Sequence, residues 1–185
     1  MQDKRIEIVE GVWSVIAQQG IAAVSVRSVA AAAGVSPGRV QHYFATKTEL
    51  VRASVEAMLD AAAEANPEVL GDPADPATLR ALLTHAIEPA ASSRAGTSVY
   101  FNFVAASVAD PWIGHALAQA RAGVVDEVER CLRAQVAEAD ASELALELTL
   151  LAEGATQSVF LGWCRSEQAL DLIRRSIGRA TGLPD

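Results

Sequence analysis

The chain has 185 residues, with 15 Lys and Arg side chains against 23 Asp and Glu side chains and a net charge of −8. Hydrophobic residues make up 51% of it, which supplies a core and excludes general disorder. The two cysteines, Cys131 and Cys164, belong to no Cys-X-X-Cys pair, so we expect neither a disulfide scaffold nor a structural zinc site. We predict no metal site and no cofactor.

The apolar residues are spaced close to 3.6 positions apart from one end of the chain to the other, and no alternating strand pattern occurs. We therefore predict an all-α protein of about nine helices. The N-terminal segment carries charges where a secretory leader has an apolar run. The longest apolar stretch, residues 144–163, is interrupted by Glu147 and Glu153. We expect a cytoplasmic protein without a membrane anchor.

Four helices are predicted within the first 65 residues. The first ends at Gly20, and Ser25 caps a short second helix that stops at Gly34. Ser36 and Pro37 then begin a third helix, with Ser as the N-cap and Pro at the first helical position. The capping box Thr46-Lys47-Thr48-Glu49 begins a fourth helix that extends to about residue 65.

The remainder of the chain is predicted as further helices joined by loops. A loop covers residues 66–76, a helix 77–88 ends before Pro89, and a second loop covers 89–96. The later helices are predicted over residues 97–108, from Asp110-Pro111 to about 138, from Ser142 to about 164, and over 167–180.

The charge is distributed unevenly along the chain. Residues 1–55 carry six basic and four acidic side chains, whereas residues 56–185 carry nine basic and nineteen acidic ones. A slightly basic head on an acidic body is typical of a protein whose head alone contacts a polyanion. Chance explains so small an excess equally well.

The third helix, residues 37–43, is too short and too polar to be a core helix. It follows the turn Ala33-Gly34-Val35-Ser36, which makes the pair a helix-turn-helix arrangement. A segment of ~10 Å fits end-on into a major groove ~12 Å wide. There Arg39 would donate two bonds to guanine, and Gln41 would pair with an adenine edge. The N-terminus of the fourth helix, at Thr46 and Lys47, would attract a phosphate.

The string SVRSVAAAAGVSPGRVQHYFATKTELV resembles the signature of the tetracycline-repressor (TetR) family, over about residues 6–52. The resemblance implies a helix-turn-helix DNA-binding domain, residues 1–46, and a helical effector-binding and dimerisation domain, residues 47–185. It implies a homodimer that binds a double-stranded DNA operator as a regulator, usually a repressor, and that a small-molecule effector releases. Gln41 stands where the family often has a Tyr, and Ser28 stands where an acidic residue is common, which weakens the capping box of the second helix.

Carried over position by position, the resemblance marks Arg27 and Arg39 as base-contacting residues and Lys47 as a phosphate-binding residue. The complete set of predicted DNA-binding residues is Ser25, Arg27, Ser36, Pro37, Gly38, Arg39, Gln41, His42, Tyr43, Thr46 and Lys47. For Tyr43 the alternative is a role in the core, and for His42 it is an ordinary solvated position.

The predicted effector pocket combines aromatic residues with a few polar groups. Its candidates are His85, Tyr100, Asn102, Phe103, Trp112, His115, Glu153, Gln157 and Trp163, and plain core packing is the alternative for each. In the family the last two helices of each subunit form the dimer interface. The dimer candidates are Leu144, Leu148, Leu151, Ala155, Val159, Leu170, Ile173 and Ile177, with an internal core as the alternative.

No catalytic motif occurs in the sequence: GxSxG, HExxH, a P-loop and GxGxxG are all absent. We therefore predict that the protein is not an enzyme. Two alternatives remain, a helical small-molecule-binding or enzymatic protein with a vestigial DNA-binding head, and a purely structural helical dimer.

Overall fold

The computed structural model describes residues 2–64, 71–92, 94–135 and 141–182. This part of the chain contains ten α-helices, one short 3-10 helix and no strand, which confirms the predicted all-α class. The helices are α1 (Gln2–Gln19), α2 (Val26–Ala32), α3 (Pro37–Tyr43), α4 (Lys47–Glu64), α5 (Pro76–Thr84), α6 (Ile87–Ser92), α7 (Ala95–Ala106), α8 (Pro111–Arg133), α9 (Ala141–Leu161) and α10 (Ser166–Thr181). The 3-10 helix η1 (Ile21–Ala23) joins α1 to α2.

The chain packs as two compact units. Unit 1 comprises residues 1–64 and 95–118, and unit 2 comprises residues 65–94 and 119–185. The predicted boundary after residue 46 divides the chain by function and stays a prediction. By packing, α4, α7 and the first turns of α8 belong with α1 to α3, because they share one hydrophobic core with them.

The core of unit 1 forms around α1. One face of α1 supplies five fully buried aliphatic residues, and α7 and α8 add Val99, Phe103 and Ile113. The indole N–H of Trp13 donates to the carbonyl of Ser54 at 3.0 Å, which fixes α4 beside α1. The five aliphatic residues are Ile8, Val9, Val12, Val15 and Ile16.

The core of unit 2 is built from α5, α6, α9, α10 and the later turns of α8. Its largest buried side chains include Leu79, Ile87, Leu132, Leu148 and Ile173. Seven residues of α9 are buried there. By length and composition α9 could also cross a membrane, a test that the core helices of soluble proteins pass as well. Glu147 and Glu153 do not by themselves exclude such a span, contrary to our expectation.

The structure corrects the prediction around Pro89. The predicted helix 77–88 is two helices, α5 and α6, separated at His85 and Ala86. The predicted loop 89–96 is helical as far as Ser92 and again from Ala95, where α7 begins. Pro89 is the third residue of α6, in the first turn, where backbone N–H groups have no intrahelical acceptor. A proline there removes no helical hydrogen bond, so α6 accommodates Pro89 in its first turn, and α5 has already ended at Thr84. The predicted ends near residues 66 and 138 lie outside the described residues.

Gly11 allows α1 and α2 to approach each other closely. A Cβ at this position would lie 2.9 Å from the Cβ of Ala33 and 3.2 Å from the carbonyl oxygen of Val29. Gly123, in the middle of α8, has nothing within 4 Å of such a Cβ.

We expect Gly11→Ala to lower the free energy of unfolding by about 1–3 kcal/mol, because the added methyl group overpacks the contact between α1 and α2. The matched control Gly123→Ala should raise it by up to about 1 kcal/mol, because alanine favours an exposed helical position. Urea unfolding at one fixed protein concentration measures both. Equal changes in the two variants would contradict the close approach.

Candidate functional site

The second helix begins with a complete capping box. The Ser25 hydroxyl accepts the N–H of Ser28 at 3.1 Å, and the Ser28 hydroxyl accepts the N–H of Ser25 at 2.9 Å. The Ser28 hydroxyl also donates to the carbonyl of Ala23. The expected weakening was therefore wrong, because a hydroxyl reaches the same backbone N–H that an acidic residue would reach.

The turn between α2 and α3 has the predicted conformation. Gly34 has a φ of 65°, in the left-handed region that favours glycine. The N–H of Val35 then donates to the carbonyl of Ala30 at 3.0 Å, which closes α2. The Ser36 hydroxyl accepts the N–H of Arg39 at 3.2 Å and caps α3, with Pro37 at the first helical position.

Two buried side chains attach α3 to unit 1. Val40 is 0% exposed and Phe44, directly after the helix, is 2% exposed. The other face of α3 presents Arg39, Gln41 and His42 to solvent. Within the described part of the chain, the side chains of Arg39 and Gln41 make no hydrogen bond or ion pair, so their polar groups are free to bind a ligand.

Tyr43 occupies the edge of this surface. It is partly buried and packs against the core of unit 1, while its ring meets the His42 ring edge-on at 5.3 Å between centroids. The position of Tyr43 is therefore compatible with the predicted DNA contact and with the alternative role in the core.

The start of α4 supplies backbone N–H groups beside a lysine. The Thr46 hydroxyl accepts the N–H of Glu49 at 3.0 Å, and the Glu49 carboxylate accepts the N–H of Ala45 at 2.8 Å. The N–H groups of Lys47 and Thr48 have no acceptor among the described residues. These two groups and the positive end of the helix dipole favour an anion.

The structure brings the predicted DNA-binding residues together on α2, α3 and the start of α4. All eleven belong to unit 1, and all except Tyr43 are exposed. The Lys47 ammonium group lies 3.5 Å from the carbonyl oxygen of Ala22, so a weak hydrogen bond holds it beside η1. The arrangement forms one polar surface, which we name the α3 surface: Ser25, Arg27, Ser36, Pro37, Gly38, Arg39, Gln41, His42, Tyr43, Thr46 and Lys47.

The predicted effector residues do not fall within one unit. Five of them (Tyr100, Asn102, Phe103, Trp112 and His115) lie in unit 1, and four (His85, Glu153, Gln157 and Trp163) lie in unit 2. In unit 2, Glu153 forms an ion pair with Arg121 of α8, and Trp163 is 76% exposed.

Two of these residues have structural roles instead. Phe103 is 0% exposed in the core of unit 1, so no ligand can touch it without unpacking the core. Asn102 uses both ends of its side chain, because its oxygen accepts the N–H of Ile21 at 3.1 Å and its NH₂ group donates to the carbonyl of Ser98 at 2.9 Å. These contacts favour the core-packing alternative for both residues.

The predicted dimer residues lie on the inner face of α9 and α10. Five of them (Leu148, Ala155, Val159, Ile173 and Ile177) are buried in the core of unit 2, and the other three (Leu144, Leu151 and Leu170) are partly buried against it. A side chain covered by its own unit has little surface left for a partner. The internal-core alternative is correct for the five buried residues.

The opposite face of α9 carries a set of exposed apolar residues that the prediction missed. Leu146, Leu150 and Leu161 are 51%, 57% and 64% exposed and share one side of the helix with Gly154, and we name these four residues the α9 stripe. The signal was present in the sequence, since α9 is apolar on two faces. Only the packing of α9 against the other helices of unit 2 decides which of its two apolar faces is buried.

Two family models match the chain. The model described as bacterial regulatory proteins of the tetR family matches residues 8–54, and the model of the C-terminal region of BetI-type transcriptional repressors matches residues 75–182. The first match contains the whole α3 surface, and the second covers more than half of the chain.

Individual transcriptional regulators also match parts of the chain. The transcriptional repressor KstR2 of Rhodococcus jostii is 30% identical over 98 residues, which are 52% of this chain and 48% of KstR2. The chain spans between a quarter and a half of the length of the two curated relatives that match it.

Solved structures share the fold over the whole chain. A transcriptional regulator from Rhodococcus sp. RHA1 superposes with a TM-score of 0.82 at 23% identity, covering 98% of this chain and 99% of that one. A regulator from Saccharomonospora viridis in complex with choline superposes with a TM-score of 0.79 at 20% identity, covering 97% and 95%.

The α3 surface predicts different effects for its two kinds of cationic residue. We call a duplex that the full-length protein enriches from a random pool of sequences the selected duplex. Arg39→Ala should reduce the preference of the protein for the selected duplex over a scrambled duplex by about 1–3 kcal/mol. Lys47→Ala should weaken binding to both duplexes alike and reduce the slope of log K against log salt by about one unit.

Fluorescence anisotropy over a range of salt concentrations separates these two effects. If both variants lose the same affinity on both duplexes, the division into a base-reading and a phosphate-binding residue is wrong.

Proposed function

The chain belongs to the tetR family of bacterial regulatory proteins, and we propose that it represses transcription as a homodimer on a palindromic operator until a small molecule releases it. The single observation that carries the proposal is the α3 surface. Arg39, Gln41 and His42 extend outward from a short helix that Val40 and Phe44 attach to the core. The regulator acts in the cytoplasm, where bacterial DNA is located, and DNA binding needs no catalytic group.

DNA recognition by this surface follows from its chemistry. The Arg39 guanidinium matches the two acceptors of a guanine edge, and the Gln41 amide matches the donor and acceptor of an adenine edge. The start of α4, with Lys47, receives a backbone phosphate and fixes the orientation of α3 without reading the sequence.

A dimer is required to read a palindrome. Two α3 helices must lie ~34–36 Å apart to enter successive major grooves on one side of the duplex. We assign the contact between the two copies to the α9 stripe, because its three leucines are the large apolar residues of α9 that unit 2 leaves exposed. The exposed Gln157 lies on the same side of the helix. Leu172 of α10, which is 38% exposed, extends this surface.

Gly154 supports the same assignment. It lies in the interior of α9, where glycine costs about 1 kcal/mol relative to alanine, and nothing within the described chain comes within 4 Å of a Cβ placed there. The fold of one copy therefore does not need this glycine. A second helix that approaches closely would need it.

We expect Leu150→Glu to separate the dimer, because the added charge would be buried between two copies. Sedimentation should show a fall from the dimer mass to the monomer mass, and affinity for the selected duplex should fall by about tenfold or more. The control Ala122→Glu adds the same charge at an exposed position of α8 in unit 2. If both variants stay dimeric, the contact does not involve the α9 stripe.

The effector site is assigned to the side of α9 that faces α8 within unit 2. Glu153 pairs there with Arg121. One helical turn earlier, Thr149 is 2% exposed and its hydroxyl has no hydrogen-bond partner among the described residues. A buried unsatisfied hydroxyl costs about 1–3 kcal/mol, which a polar ligand would recover. The predicted residue Gln157 lies one turn beyond Glu153.

A small cation is the ligand class that Glu153 favours. It would replace the Arg121 guanidinium at the carboxylate, and the choline bound by the structural relative from Saccharomonospora viridis is such a cation. A ligand lowers DNA affinity if it binds more tightly to a dimer whose two α3 helices have another separation than DNA requires. The effect equals the difference between its binding free energies to the two forms of the dimer, typically ~1–3 kcal/mol.

Choline should therefore raise the melting temperature of the protein, with a stabilisation of about 2.7 kcal/mol at about 100 times its Kd. Glu153→Gln should abolish the shift, whereas Glu147→Gln, an exposed position on the same helix, should preserve it. Acetate serves as the anionic probe. A shift with acetate alone, or an equal choline shift in both variants, would contradict a cation site at Glu153.

A further inference from the structure

The packing unit that contains the α3 surface includes a helix from far along the chain. Helix α7 lies against α1 and η1 in unit 1, and Val99 and Phe103 of α7 are buried in the same core as Val40 and Phe44. The position of the DNA-facing residues therefore depends on side chains that do not belong to the helix-turn-helix itself.

Asn102 of α7 contacts the backbone that leads into α2. Its side-chain oxygen accepts the N–H of Ile21 at 3.1 Å, and its NH₂ group is fixed by the carbonyl of Ser98. Ile21 is the first residue of η1, so this N–H has no acceptor within its own helix. Gly20, with a φ of 80°, makes the sharp turn before it.

The η1 segment connects Asn102 to the DNA-facing residues. The carbonyl of Ala22 accepts the Lys47 ammonium group at 3.5 Å, and the carbonyl of Ala23 accepts the Ser28 hydroxyl at 2.8 Å. A displacement of η1 therefore moves both the capping box of α2 and the lysine at the start of α4.

Asp110 makes a second connection, to α4. Its two carboxylate oxygens accept Nε and Nη2 of Arg52 at 2.9 and 2.8 Å, and one of them also accepts the N–H of Trp112 at 3.1 Å. The Arg52 guanidinium lies over the Trp112 ring, 5.3 Å from its centroid. The hydrogen bonds from Arg52 hold the pKa of Asp110 below its ordinary value, so the carboxylate is ionised at neutral pH.

We propose that Asn102 and Asp110 are positioning residues for DNA recognition, which hold η1 and α4 in the arrangement that the α3 surface needs while touching no DNA themselves. The proposal rests on the proposed DNA-binding role of the α3 surface. Asn102 sets the place of η1 through one backbone N–H, and Asp110 sets the direction of α4 through a bidentate ion pair.

The chain provides a matched control for Asp110. Asp75 is also an aspartate N-cap followed by proline, and its carboxylate accepts the N–H of Ala77 at 2.8 Å. Unlike Asp110, Asp75 has no arginine partner among the described residues. Asparagine caps helices as well as aspartate does, so Asp→Asn at either position keeps the cap and removes one negative charge. Only Asp110→Asn also weakens a contact with α4.

The test compares Asp110→Asn, Asp75→Asn, Asn102→Leu and Asn102→Asp on the selected and scrambled duplexes over a range of salt concentrations. Asp110→Asn and Asn102→Leu should lose about tenfold in affinity for the selected duplex, which corresponds to about 1.4 kcal/mol. Their affinity for the scrambled duplex should fall by much less, and their salt slope should stay close to the wild-type value, because the exposed Lys47 side chain is retained and can still reach a phosphate.

Asp75→Asn should bind both duplexes as the wild type does. Asn102→Asp should lose less affinity than Asn102→Leu, because its carboxylate still accepts the Ile21 N–H, although it no longer donates to the carbonyl of Ser98. Hydrogen exchange provides the readout that is independent of DNA: the Ile21 amide should exchange faster in Asn102→Leu and at the wild-type rate in Asn102→Asp. This measurement also verifies that the variants are folded at the temperature of the binding assay.

Three results would overturn the proposal. The first is wild-type affinity of Asp110→Asn and Asn102→Leu for the selected duplex. The second is an equal loss on both duplexes, and the third is the same loss in Asp75→Asn. If instead the wild-type protein fails to distinguish the selected from the scrambled duplex, the proposed DNA-binding function fails, and this outcome is recognised before any variant is compared.

Discussion

The α3 surface depends on the burial of two side chains, Val40 and Phe44. A helix of seven residues is not stable in isolation, because isolated helices shorter than about 12–15 residues are marginal in water. Burying a valine or a phenylalanine contributes about 1.5–3 kcal/mol each, and Arg5 lies over the Phe44 ring at 5.3 Å from its centroid. The core of unit 1 therefore supplies the stability of α3, and its outward residues are free to be polar.

The uneven distribution of charge along the chain also favours an approach of its N-terminal segment to a polyanion. The segment 1–55, which contains the α3 surface, has a small excess of basic groups, whereas the rest of the chain has nineteen acidic groups against nine basic ones. The phosphates of a duplex would repel the acidic remainder of the chain more strongly than the segment that carries the proposed DNA-binding surface. The overall acidity is compatible with binding to a polyanion because it lies elsewhere in the chain.

The local structure could be predicted from the sequence because capping and turn formation involve residues within four positions of each other. Ser36, Gly34 and Thr46 have the roles that their neighbours imply. The failures have a different cause. The contact between Asn102 and Ile21 joins residues 81 positions apart, and no periodicity carries information about such a pair. Pro89 was misjudged because a proline is tolerated in the first turn of a helix as well as after its end.

Helix α9 shows most clearly why the rest of the site could not be predicted from the sequence. Both of its faces are apolar, so spacing alone cannot say which face closes the core of unit 2 and which stays exposed. Once the inner face is known, the α9 stripe is left for a second copy, and Glu153 lies at its border. In the proposed dimer one helix then contacts both the effector and the partner subunit. A ligand that displaces Arg121 from Glu153 would act directly on the contact that sets the separation of the two α3 helices.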